Sequence, residues 1–135
     1  MTLLTEAREA VYLRFVSNWT LTPYVFDNEG SDSLDGDSVA WARLSVREVG
    51  GGQRTLGRVG NRRYRRQAIV FVQLFTPIDA GVLAAGTLAQ AVRTIFEGVS
   101  FGDLDFNDVR VREATPDEKW HQTIVEAVFD FEETK

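Results

Sequence analysis

The sequence predicts an α+β domain: a mixed, mainly antiparallel sheet of about four to five strands, with two main helices packed on it and a long arginine-rich β-arm. Three observations carry this expectation. Two segments of helical length keep an apolar stripe at helical spacing. Several shorter segments alternate apolar with polar residues. Ala68 to Phe75 is β-branched and aromatic with almost no polar relief, which suits a central strand covered on both faces. At 135 residues the chain has the length of one domain, residues 1–135, with material for one core and not two.

Taken in order, Thr2 to Asn18 reads as the first helix. Leu4, Ala7, Val11 and Phe15 form its stripe, with Leu3, Ala10 and Val16 as further candidates for it, and Asn18 is its stop. Thr2 or Thr5 can cap its start, where Glu6 and Glu9 suit the positive end of the dipole. Trp19 to Phe26 then turns at Pro23 into a short extended piece, with Trp19, Tyr24 and Phe26 available to fold over the helix. Ser38 to Val49 alternates as a strand with one buried face: Ala40, Ala42, Leu44 and Val46 point one way, Trp41, Arg43, Ser45 and Arg47 the other. Gly50-Gly51-Gly52 is expected to turn the chain into Gln53 to Val59, which can pair back as a hairpin. Gly57, Gly60 and Asn61 keep the far end of that arm pliable.

The buried strand, Gln67 to Phe75, ends at Thr76-Pro77. A second helix is predicted from about Ala80 to Glu97, capped by Asp79 and ended by Gly98, with Val82, Ala85, Leu88, Ala89, Val92, Ile95 and Phe96 turned to the core. Val99 to Asn107 reads as a loop pegged by Phe101, Leu104 and Phe106. Asp108 to Ala114 is a short strand with Val109 and Val111 inward. The last strand, Trp120 to Phe131, lines one face with Thr123, Val125, Ala127, Phe129 and Phe131, and the final four residues form a polar tail.

Composition narrows the function. With 44% hydrophobic and 26% charged residues the chain is ordinary for a globular domain, so neither disorder nor a membrane association is expected. No apolar run approaches the ~20 residues of a bilayer span. The charged start, MTLLTEAREA, leaves no apolar core for a secretion signal. Absence of cysteine excludes disulfides and thiolate metal sites, and a reducing cytoplasm fits. The single histidine, His121, has no nucleophile-elbow pattern to serve. Gly52 and Gly57 have phosphate-loop spacing, but Arg58-Val59 stands where Lys and Ser or Thr are required. Asp27 to Asp37 lacks the closing glutamate of a calcium loop. The expectation is therefore no enzyme, no cofactor and no metal.

Charge placement is more informative than its total of −5. Asp27, Glu29, Asp32, Asp35 and Asp37 make one acidic block. Arg54, Arg58, Arg62, Arg63, Arg65 and Arg66, with Tyr64 among them, place 6 of the chain's 15 basic residues within 13 positions. Guanidinium forks pair bidentately with carboxylates across interfaces, so both blocks are candidate protein-interface residues for head-to-tail self-association. Two solvated loops of opposite sign are the bland alternative. A nucleic-acid-binding module is the other reading of the Arg54–Arg66 arm, with the arginines on phosphates and Tyr64 stacked on a base.

An ordered set of residues then resembles one family. It comprises Phe15 and Asn18-Trp19, Thr22-Pro23, Trp41-Ala42-Arg43-Leu44, Leu56-Gly57, Gly60, and Arg62-Arg63-Tyr64-Arg65-Arg66. Val70-Phe71-Val72-Gln73, Phe75-Thr76-Pro77, Ile95-Phe96-Glu97-Gly98 and Trp120-His121-Gln122 complete it. From about Thr5 to Phe131 the chain is similar to the tail terminator proteins of long-tailed bacteriophages and related prophage elements. The resemblance implies a structural virion protein, assembled in the host cytoplasm. It implies a hexameric ring on the head-proximal end of the tail tube, which ends tube polymerisation and offers a surface for head–tail joining. Its implied partners are further copies of itself, the tail tube protein and the head-side connector, with DNA passing through the lumen without specific binding. Asp27 to Asp37 matches none of the family's motifs.

Overall fold

A computed structural model of the chain describes residues 4–26, 40–78, 82–116 and 120–134. Helix α1 (Leu4–Asn18) leads into strand β1 (Tyr24–Phe26). Strands β2 (Trp41–Gln53) and β3 (Arg63–Pro77) form a long hairpin, followed by helix α2 (Val82–Phe96). Strands β4 (Ser100–Phe101), β5 (Leu104–Glu113) and β6 (Trp120–Thr134) complete the fold. The α+β class is as expected, with six strands rather than four to five, in the order β1-β2-β3-β6-β5-β4. The pairing of β1 with β2 is parallel and the others are antiparallel. A parallel pair cannot be joined by a tight turn, which accounts for the length of sequence between Phe26 and Trp41.

Both helices pack on the same sheet face. Ala7, Val11 and Phe15 of α1 and Leu88, Val92 and Phe96 of α2 share one core with Ala42, Leu44, Val70, Val72, Val125 and Phe129. Each large side chain of this set contributes about 1.5–3 kcal/mol by leaving water. Trp19, Tyr24 and Phe26 fold over α1 as expected: Phe15 stacks on Trp19 at 5.2 Å and Tyr12 on Phe26 at 4.2 Å. Arg8 and Arg14 of α1 are turned inward. Arg8 donates to the Val46 carbonyl at 3.0 Å. Arg14 donates to the Ile95 carbonyl at 2.8 Å, placing a cation at the negative end of α2. Asn18 ends α1 by donating to the Arg14 carbonyl at 2.8 Å.

Strand β3 is central, between β2 and β6, but it is not covered on both faces. Ala68, Val70, Val72 and Leu74 are buried under the helices, whereas Ile69, Phe71, Gln73 and Phe75 on the opposite face are half-buried. There Trp41 stacks on Phe75 at 4.1 Å and meets Trp120 edge-on at 6.3 Å.

Four local expectations are corrected. Gly50-Gly51-Gly52 does not turn the chain; it continues β2, paired with Gln67, Arg66 and Arg65. The hairpin bends farther out, between Gln53 and Arg63, and the second half of the arm is the start of β3. The stretch read as a loop after α2 contains β4 and the start of β5, because Gly102, at φ +56°, and Asp103 turn the chain tightly enough for Phe101 to pair with Leu104. The polar tail is strand as far as Thr134, and Glu133 is buried. Thr2, Asp79, and the acidic block Asp27, Glu29, Asp32, Asp35 and Asp37 lie outside the described residues.

Candidate assembly interface

The arm is built by three local features. A register shift between Glu48 and Gly50 bulges β2 at Val49 and leaves that side chain exposed. Beyond the bulge, β2 passes so close to β3 that a Cβ on Gly51 would overlap the Arg65 carbonyl oxygen. Glycine is required there. At the tip, Asn61 donates its amide to the Arg58 carbonyl at 2.9 Å, closing a turn whose third residue, Gly60, has φ +97°. Arg54 N–H to the Arg63 carbonyl, at 2.6 Å, and Arg63 N–H to Thr55 Oγ1, at 2.9 Å, hold the two limbs together where the sheet ends.

These features divide the arginines into a root and a tip. At the root, Arg65 projects from the open sheet face and binds the Asp130 carboxylate directly. Asp130 is buried and also accepts from Asn107 Nδ2 at 2.9 Å. The hydrogen bond and charge of Asp130 hold the Arg65 guanidinium above its ordinary pKa. Arg66, on the helix face, lies 3.6 Å from Glu133 and 3.8 Å from Glu48, with its guanidinium 5.0 Å from the Tyr64 ring centre. Two arginines and Tyr64 thus fasten the arm to β6 and β2.

The tip is different. Arg54, Arg58 and Arg63 are exposed and make no side-chain ion pair or hydrogen bond with the described residues. Arg62 only donates to the Gly57 carbonyl of its own loop, at 3.0 Å. Among them stand Leu56 at 95% and Val59 at 81% exposure. The arginines were legible in the sequence. Of the two apolar residues between them, Leu56 entered only with Gly57 as part of the family resemblance and Val59 only as the end of an expected strand, although an isolated Leu and Val in a run of Gly and Arg is the signal that could have marked both as exposed contacts. Nor were Glu48, Asp130 and Glu133 recognised as partners, since each is distant in sequence from Arg65 and Arg66.

A shallow hollow beside the root is lined by Arg63, Arg65, Asp103, Asp105, Asp130 and Glu132. Among the described residues no group of His, Asp or Glu is placed to hold a metal ion, and no helix is long and apolar enough to cross a membrane. The arrangement offers binding surface, with charged and apolar groups side by side, in a chain whose core is closed by its own helices.

Among the described residues, two helices and six strands make an α+β fold from which the β2–β3 hairpin projects. The family model described as phage tail terminator protein matches residues 6–127, most of the chain, and the protein belongs to that family. It is accordingly a structural component of a phage tail that associates with other tail proteins. No curated protein matches the chain. One solved structure, whose name carries no functional description, superimposes with a TM-score of 0.58 at 15% identity, over 91% of this chain and 94% of that one. Likeness at that identity speaks for the fold alone.

Proposed function

We propose that the protein caps the head-proximal end of the tail tube as a hexameric ring, ends tube polymerisation and presents the surface on which head and tail join. Family membership supports the tail role. The observation that carries the assembly reading is the arm tip, where exposed Leu56 and Val59 sit among Arg54, Arg58 and Arg63, which have no partner within the described chain. A lone domain gains nothing from such a limb; a subunit that grips a neighbour or the tube does. DNA then traverses the lumen unbound, and the acidic excess of the chain keeps it from adhering.

The nucleic-acid reading of the same arm is weaker. Arg65 and Arg66 are already neutralised by Asp130, Glu133 and Glu48, so they have little charge left for phosphates. The test is electron microscopy of tails carrying Arg54→Glu, Arg58→Glu, Arg62→Glu and Arg63→Glu together. Overlong tails, or tails that fail to join heads, are expected. Infective particles with tails of normal length would refute the role given to the arm.

A further inference from the structure

We infer that the arm tip of one copy docks on the outer face of helix α1 of the next copy. The inference rests on the ring reading above and names the surface that receives the arm. Along α1, Glu6, Glu9, Leu13 and Val16 follow one another at helical spacing and form a single exposed stripe, with Leu13 at 60% and Val16 at 40% exposure. The stripe is acidic at one end and apolar at the other. Its sign has a structural cause: α1 carries two arginines and two glutamates, and both arginines are turned inward onto the Val46 and Ile95 carbonyls. Glu6 and Glu9 are left outside, with no ion pair among the described residues.

The arm tip is the counterpart of that stripe in both respects. It combines arginines that have no carboxylate partner among the described residues with exposed Leu56 and Val59, so joining the two surfaces buries aliphatic side chains while opposite charges meet. The tip's own helix is not the occupant, because Leu56 and Val59 are almost fully solvent-exposed on the arm that carries them. The paired residues Gly50 to Gln53 carry the tip roughly 13 Å past the last core row, Glu48 with Ala68, before the loop begins. One surface thus projects and the other lies on the body of the molecule. A contact between unlike patches of one chain is heterologous, and closes into a ring when the rotation between neighbours permits.

The chain has no cysteine, so an engineered pair is read without background. Tails would be isolated from particles carrying Leu13→Cys with Leu56→Cys, oxidised mildly and run without reductant. Disulfide-linked multimers of this chain are expected. A control pairing Leu56→Cys with Leu83→Cys on α2, where Leu83 is 85% exposed, should give none. Separately, Arg54→Glu with Arg58→Glu should lose incorporation into tails, and adding Glu6→Arg with Glu9→Arg should restore it. A chain present in tails that forms no Leu13–Leu56 cross-link overturns the docking inference and leaves the tail role standing. Absence of the unsubstituted chain from tails overturns the tail role and the inference with it.

Discussion

Among the arm's arginines, what separates Arg65 from Arg58 is not exposure alone but what faces it. Arg65 is about half exposed, yet its guanidinium has a buried carboxylate to meet, and Asp130 is held in place by Asn107. That makes Asp130 a structural residue despite its place on the solvent side of β6. Asp130→Ala removes the acceptor for both Arg65 and Asn107 and is expected to lower the urea midpoint. Asp130→Asn keeps the shape and an acceptor oxygen, so it should lose less. If Asp130→Ala unfolds at the same urea concentration as the parent, the root is not fastened by this pair.

At the scale of elements, the hairpin β2–β3 is stiff through its paired length, because Gly51 lets the two backbones approach more closely than any side chain would allow. Gly51→Ala should therefore fray the arm without dissolving the core. Hydrogen exchange is expected to quicken at the amides of Gly52, Arg54 and Arg65, which point across the hairpin, while those of Val70 and Val72 stay protected; equal quickening everywhere would show that the arm and the core are one cooperative unit. This element also marks the limit of what the sequence disclosed. The two helices and the faces of β2 and β6 were legible because Val11 and Phe15, Leu44 and Val46, and Ala127 and Phe129 keep a strict period against polar neighbours. Three glycines in a row imitate a turn, and nothing local reveals that they lie against Arg65 and Arg66 instead. The half-open face of β3 was equally hidden. Ile69 and Phe71 are as apolar as Val70 and Val72, and only the placement of both helices on one side leaves the first pair partly uncovered. Candidate site residues were found by charge, yet charge alone could not separate arginines with internal partners from those without.

For the whole molecule, that separation predicts that stability and assembly respond to different arginines. The tip adds little to the fold, since its side chains are solvated and make no ion pairs with the described chain. Arg54→Glu with Arg58→Glu should thus change unfolding free energy by within about 0.5 kcal/mol, the usual range for exposed positions away from special features. Arg66→Glu is a different case. It sets a carboxylate against Glu133 and Glu48, with Glu133 buried, and should lower the melting temperature clearly. Assembly should show the reverse dependence on conditions. Contacts made by exposed guanidinium groups are screened as salt rises, whereas the packed core is not, so joining of subunits to tails should weaken with salt well before the fold does. Thermal melts and tail incorporation, measured on the same variants across a salt series, check both halves. Tip variants that melt early, or that incorporate normally at every salt concentration, would mean that the limb serves its own domain, and that subunits meet through some other surface.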